Sequence, residues 1–514
     1  MTTEPARTWG FYGRTAEQAE IDKIISSGRW FFCSISGRRR IGKTTLIQRA
    51  LRRRPGLGAF YFQVPDSDER GVVQTFQDAL EDSGTSIETA RKVRTFAEMA
   101  EVIAFLCGNG FIVVIDEFQY FHRKSLSSFT SYLQLIVDKL RDTNKGGLFV
   151  LGSIHTEMTA ILEDQTSPLF NRVTHRIAVG HWDFETLFEM FNAHGVRDAN
   201  QRLFLWSLFE GVPKFYRDCF EAETLLPLTA YRRDTLSSLF FEGASPLRDE
   251  ATNWFLRELR GRYDSVLKLL AYKGPCSYRD LVAEYARAGS GDEKQLSAYL
   301  STLVERYQMV DKLRPVFAVE KSRKTRYVIA DNFLASWLKA LGRNVQAARI
   351  RPVEQAIARA DESLKTQEGY GFEKMVRVLT EECSRKGIGD FSLTEIVRGY
   401  WNKPDGADIE IDLVASNEED AMVRFGSCKR SASGHTEKDL FQFENHVDRF
   451  LRTKDGRRFS NYEVQRALYV PRFPADQRRS LENRGFICRD MIDFADFLGQ
   501  GEAPGTVMAE GASQ

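Results

Sequence analysis

The sequence predicts a multidomain α/β protein with a parallel-sheet core at the front, a winged helix in the middle, and a second α/β domain at the back. Three observations predict it. At 514 residues the chain exceeds what one hydrophobic core holds, which suggests roughly three or four domains. In the front third, short apolar runs such as "WFFCSI" and "FIVVI" end in turn or acidic residues and lead towards helical patterns, as buried parallel strands do. In the back third, strand-like stretches alternate apolar and acidic residues, as half-exposed strands do.

Composition narrows the function classes. Lys plus Arg number 72 against 71 Asp plus Glu, so the chain is no overall polycation, and any nucleic-acid surface must be local. No apolar run approaches the ~18 residues of a membrane helix, so no membrane partner is expected. The start, "MTTEPARTWG", has no apolar core like that of a secretory signal. The cysteines at 33, 107, 219, 276, 383, 428 and 488 form no CxxC pair, which fits reduced thiols in a cytoplasm and offers no zinc site.

Residues 30–50 read "WFFCSISGRRRIGKTTLIQRA". Here Gly37-Arg38-Arg39-Arg40-Ile41-Gly42-Lys43-Thr44-Thr45 stands between an apolar run and a helical pattern, the context a phosphate-binding loop needs. At average usage such a motif arises by chance about 0.02 times in a chain this long. The glycines let backbone N–H groups wrap phosphates, and the helix N-terminus adds favourable partial charge. Lys43 would reach the β- and γ-phosphates, and the Thr44 hydroxyl would ligate Mg²⁺. In "FIVVIDEFQYF" (111–121) a buried strand delivers two acids to its end. Asp116 would hold Mg²⁺ and Glu117 would orient the attacking water. A third strand, "GLFVLGSI", ends at Ser153, a candidate γ-phosphate sensor.

Taken in order, "FYGRTAEQ", "SGRRRIGKTTLI", "VVIDEFQ", "LGSI", "SPLFNRVTHRI" and "GVPKFY" resemble the archaeal-type ATPases of the AAA+/STAND group, over roughly residues 9–340. The resemblance implies ATP and Mg²⁺ as cofactors. It places Gly13 and Arg14 near the adenine, offers Arg172 and Arg176 to complete the γ-phosphate site in cis or from a neighbouring subunit, and makes Gly211 and Pro213 markers of a helical lid. Self-association is left open.

The middle reads as a winged helix. "YDSVLKLLAYKG", "YRDLVAEYARA" and "GDEKQLSAYLSTLVERY" have helical spacing, with Asp292 as N-cap and Leu296, Leu300, Leu303 and Val304 on the inner face. "MVDKL" and "FAVEKSRKTRYVIAD" read as the hairpin of the wing. Residues 260–330 hold 14 Lys plus Arg against 8 Asp plus Glu, a local net of +6. DNA is therefore an expected partner, through Lys294, Gln295 and Ser297 and the wing residues Lys321, Arg323, Lys324 and Arg326.

Behind a charged helical connector, "GYGFEKMVRVLTEEC", "FSLTEIVRGYWN", "ADIEIDLVAS", "AMVRFGSCKR", "EKDLFQFENHVDRFL" and "YEVQRALYV" run in the order αβββαβ. That order resembles the PD-(D/E)xK nuclease core. The resemblance makes Glu373 the helix acid, Asp412 the strand acid and Lys429 the lysine of a metal-dependent site, and Glu410, or a bridging water, is the candidate to supply the ligand that Ser427 lacks. Pro404-Asp405 lies in a turn and is a decoy. Period two puts Asp408, Glu410 and Asp412 on one face. Ser427, two residues before Lys429, stands where that family keeps an acid. An active nuclease, a degenerate DNA-binding or structural domain, and neither all remain open.

The expected organisation is a P-loop ATPase core (1–180), lid (181–255), winged helix (256–340), connector (341–365), nuclease-like domain (366–500) and a disordered tail (501–514). The expected function is an ATP-controlled, DNA-associated switch or remodeller. The alternative is a signalling ATPase whose winged helix and C-terminal domain bind protein.

Overall fold

A computed structural model describes residues 8–501 except 84–92, 144, 154, 251–262, 288–292, 320, 321, 323, 404 and 405. Asp292, Lys321, Arg323, Pro404, Asp405 and nearly all of the expected tail lie outside the described residues. The chain divides into two compact units, one of residues 13–182 with 212–214, the other of the remainder.

The first unit is a parallel five-stranded sheet. Strands β1 (Phe31–Ser36), β2 (Ala59–Gln63), β3 (Ile112–Asp116), β4 (Gly147–Gly152) and β5 (His175–Ala178) lie in the order β2-β3-β4-β1-β5. β3 and β4 are buried along their whole length and β1 up to its last residue, while the edge strands β2 and β5 alternate. Continuous apolar runs therefore mark the strands covered on both faces. Phe32, Phe60, Phe62, Phe76, Val113, Ile115, Leu148 and Val150 share one core. All five C-terminal strand ends point the same way, so the ends of β1, β3 and β4 gather the loops that carry chemistry.

The second unit begins with helices Phe184–Ala193 and Ala199–Phe209, capped by the Asp183 and Asp198 side chains. Helices Tyr263–Lys273, Tyr278–Arg287 and Glu293–Glu305 then alternate with β6 (Cys276–Ser277), β7 (Val310–Leu313) and β8 (Arg326–Ile329). These three strands pair antiparallel in the order β6-β8-β7. Leu296, Leu300 and Leu303 are buried as expected, and Val304 is half-buried. Of the described residues in the expected long second wing strand, four, Arg326–Ile329, pair in register with β7.

The C-terminal sheet is mixed. β9 (Arg398–Asn402), β10 (Ile409–Asn417), β11 (Met422–Cys428), β12 (Glu463–Tyr469) and β13 (Ile487–Arg489) lie in the order β13-β12-β11-β10-β9. β9, β10 and β11 are antiparallel, whereas β11, β12 and β13 are parallel. Helix Glu437–Arg452 crosses between β11 and β12, giving the αβββαβ order. Two expectations change. The connector and the first helix of this domain are one helix of 33 residues, Val353–Arg385, which runs through the expected boundary at 365. The stretch 391–402 is a strand only over its last five residues.

All seven cysteines are buried and unpaired. Among the described residues no helix is long and apolar enough to cross a membrane.

Candidate functional site

β1 ends at Ser36 and the chain turns through residues 37–42 into helix Lys43–Arg52. Two glycines are required there for different reasons. A Cβ on Gly37 would sit 2.4 Å from the Val179 carbonyl oxygen, and Gly42 has φ 94°, where a side chain is strained. Arg14, Arg40 and Glu117 also adopt left-handed backbone, at φ 62°, 66° and 55°. Such costs concentrate where a site over-determines its backbone.

Lys43 folds back over the loop, donating from Nζ to the carbonyls of Gly37 (2.8 Å) and Arg38 (3.1 Å). Burial pushes its pKa down to about 8, against the opposing pull of Asp116 and Glu117. An anion in the loop would stabilise the ammonium in a place where water does little. Arg14 braces the loop from behind. Its guanidinium donates to the carbonyls of Ile41 (3.1 Å) and Gly180 (2.7 Å) and pairs with Glu17 at 2.8 Å.

Asp116 stands at the end of β3 beside Lys43's helix. Its Oδ2 accepts from the Thr44 hydroxyl at 2.5 Å and from the Tyr61 hydroxyl at 2.7 Å, and its Oδ1 accepts from the Glu117 N–H at 2.8 Å. A hydroxyl and a carboxylate in contact at the loop's mouth are the hard oxygen donors that Mg²⁺ takes, so these residues fit that ion. Thr45 is exposed on the next position of the same helix.

Glu117 is clamped. The Gln119 Nε2 donates to Glu117 Oε2 and, at 3.3 Å, to Ser153 Oγ. The Ser153 N–H returns a bond to Gln119 Oε1 at 3.3 Å, and its hydroxyl lies 3.5 Å from Glu117. Beside this clamp a cleft of about 340 Å³ is lined by Arg39, Gln63, Asp66, Thr75, Glu117 and Tyr120.

A second group of predicted residues lies in the C-terminal sheet. Asp412 accepts the Cys428 N–H at 2.8 Å, and β10 shifts register against β9 between Ile411 and Val414, next to this acid. Arg377 donates to Glu373 at 3.2 Å and to the Asp412 carbonyl at 3.2 Å. Burial pushes both carboxyls up, and at Glu373 the Asp412 charge adds to the rise. Glu410 is exposed and pairs with Arg326 at 2.8 Å, while Asp408 pairs with Lys403 at 3.2 Å. Lys429 lies 3.7 Å from Asp439. Ser427 is buried in β11.

Residues 11–214 match the family described as an ATPase domain predominantly from Archaea. The front of this chain is an archaeal-type ATPase domain. Residues 337–440 match a family described as archaeal and bacterial proteins of unknown function. An uncharacterized protein of Methanocaldococcus jannaschii, MJECL04, is 24% identical over 423 residues, 82% of this chain and 87% of that protein. Among solved structures, the Walker-type ATPase PABY2304 of Pyrococcus abyssi is similar at 18% identity and TM-score 0.49, over 65% of this chain and 98% of that one. The Aeropyrum pernix ORC2 protein, solved as ADPNP–ADP complexes, is similar at 15% identity and TM-score 0.47, over 68% and 96%.

Within the ATPase domain, the sequence-derived residues Lys43, Thr44, Asp116, Glu117 and Ser153 are joined through shared hydrogen bonds or a common charge environment. Arg172 and Arg176 are held elsewhere. Asp138 takes the Arg172 guanidinium in two bonds of 2.8 and 2.9 Å, and Glu163 lies 3.3 Å from Arg176. Three contributors were not foreseen. Gln119 sits in the quoted "VVIDEFQ", and its signal was a polar residue inside an apolar run. Tyr61 showed only as an aromatic with a polar tip at an edge strand. Arg377 showed only as an arginine four residues after Glu373.

Proposed function

We propose that the chain binds ATP with Mg²⁺ at Gly37–Thr45 and hydrolyses it, and that the nucleotide state controls how the winged helix engages DNA. The observation that supports hydrolysis is the convergence of Lys43, the Thr44–Asp116 pair and the Glu117–Gln119–Ser153 clamp. Mg²⁺, held by Thr44 and by Asp116 through water, would neutralise charge on the β- and γ-phosphates. The water oxygen attacks the γ-phosphorus and the bond to the β,γ-bridging oxygen breaks. ADP leaves with that electron pair, and the water's proton goes to Glu117.

The DNA reading is supported by the exposed Lys294, Gln295 and Ser297 on helix Glu293–Glu305, in a segment of net charge +6. Lys294→Ala with Lys324→Ala is expected to weaken binding to every duplex sequence. The salt slope should flatten by about 2, because each phosphate contact contributes roughly 0.9. Fluorescence anisotropy across a salt series measures both, and an unchanged slope sinks the DNA reading.

One observation favours a second reading, in which this face binds protein. Arg326, expected on DNA, is paired with Glu410, and its guanidinium lies 4.6 Å over the Trp401 ring.

For the C-terminal domain the proposal is a nuclease scaffold without nuclease chemistry. Glu373, Glu410 and Lys429 each have an opposite charge as partner, and Ser427 brings none. Among the described residues no three His, Cys, Asp or Glu side chains group to hold an ion. The residues do not fit the metal that the family resemblance implied. Plasmid incubated with wild type or Ser427→Glu, in Mg²⁺ or Mn²⁺ and with or without ATP, is expected to stay supercoiled. Nicking by Ser427→Glu that disappears with Asp412→Ala would overturn this.

A further inference from the structure

Phosphoryl transfer spreads negative charge over the three equatorial oxygens of the γ-phosphate, and one lysine does not match it alone. A guanidinium that reaches those oxygens contributes a large share of turnover in enzymes of this chemistry. The two arginines that resemblance offered are already committed. Releasing Arg172 means breaking two parallel bonds to Asp138, and Arg176 faces Glu163.

Arg39 differs from both. It is the middle residue of the phosphate-binding loop and is exposed, and among the described residues it makes no salt bridge. Its loop neighbour Arg38 instead lies against the His181 ring at 3.3 Å. Arg39 lines the cleft that also contains Glu117 and Tyr120. Its charge reaches into the site, since it helps lower the pKa of Lys43 and restrains the rise at Tyr120. The backbone after it is fixed, with Arg40 at φ 66° and Gly42 at φ 94°, so its starting point over the loop is set. Arg39 is thus a loop arginine with an uncommitted guanidinium, opening on the same cleft as the general base.

We propose that Arg39 is a catalytic residue that caps the γ-phosphate in cis and stabilises the charge developing there. The inference rests on the ATPase reading above and deepens it. It makes the site complete within one chain, with no arginine required from a neighbouring subunit. Arg39's planar fork can meet two γ-phosphate oxygens together, which a lysine ammonium does not do.

The test compares ADP affinity, affinity for ADP with aluminium fluoride, and single-turnover hydrolysis across a dilution series of the full chain. Arg39→Ala is expected to keep its ADP Kd within about threefold while hydrolysis falls roughly 10³-fold, the lower end of the range for such arginines. The tighter binding that aluminium fluoride confers on wild type should vanish in the variant, a loss that a merely structural residue would not produce. Arg39→Lys should restore only part of the rate. The wild-type rate constant should not change with dilution. Full activity in Arg39→Ala would overturn the proposal, as would a wild-type rate that collapses on dilution. The same thousandfold loss in Arg172→Ala or Arg176→Ala would return the role to those residues. A wild type that binds ATP yet never turns it over would overturn the hydrolytic reading and this assignment with it, whereas an active wild type matched by Arg39→Ala sinks this assignment alone.

Discussion

Lys43→Ala is expected to weaken ATP binding by about 100-fold, close to 3 kcal/mol, and to leave no measurable turnover. The figure is the upper end for a hydrogen bond to a charged group, and burial is the reason for choosing that end. Lys43 is 7% exposed, and its ammonium is met by the carbonyls of Gly37 and Arg38. Water therefore competes poorly for it, and its loss leaves phosphate charge facing Asp116 and Glu117 with one cation fewer. The fold itself should survive. The loop glycines and the Arg14 brace on Ile41 and Gly180 do not involve the lysine side chain. Titration calorimetry with ATP–Mg²⁺, beside a thermal melt in the absence of nucleotide, separates the two effects. Wild-type affinity in a folded Lys43→Ala protein would remove this loop as the nucleotide site.

How legible this was in the sequence depended on whether the cause was local. The loop's glycines, lysine and threonine, and the acids ending β3, announce themselves because motif and strand are each contiguous. The acidic ladder of β10 was readable for the same reason. Asp408, just before the strand, and Glu410 are exposed and Asp412 is half-buried, while Ile409 and Ile411 are buried. What each acid faces was not readable, because Arg326, Arg377 and Lys403 arrive from other elements. The missed continuity of helix Val353–Arg385 has a specific origin. The helix runs through "GYG" at 369–371, where two glycines lower helix propensity, and a Cβ on Gly371 would lie 2.7 Å from the Ser207 hydroxyl. That glycine permits close packing on helix Ala199–Phe209 and interrupts nothing. The second wing strand begins at Arg326, after the polar pair Lys324 and Thr325, which offers no apolar alternation to hold a strand. Gln119 escaped because its partner Ser153 directly follows β4, 34 residues away, and the β3–β4 pairing brings them together.

Glu117→Gln is expected to bind ATP–Mg²⁺ within about threefold of wild type while turnover falls roughly 10³-fold, about 4 kcal/mol in the barrier. The two effects separate because adjacent acids do different work. Asp116 holds the Thr44 and Tyr61 hydroxyls and would anchor the ion, and the substitution does not touch it. Glu117 holds none of these groups; its carboxylate is turned towards Gln119 and Ser153. A glutamine there keeps the shape, and its amide oxygen still accepts from Gln119, so the clamp and the left-handed turn at φ 55° persist. What disappears is the ability to take a proton from water, since an amide oxygen is far too weak a base. The substitution thus removes one chemical property and leaves the surrounding geometry in place. Single-turnover hydrolysis and equilibrium ATP binding on the same preparation decide the matter. Equal turnover in the two proteins would strip Glu117 of the role, and a tenfold loss of ATP affinity would make it part of the binding site instead. If Arg39 caps the γ-phosphate, Glu117→Gln should still bind ADP with aluminium fluoride more tightly than ADP, whereas Arg39→Ala should not. That contrast assigns the water to one side chain and the developing charge to the other.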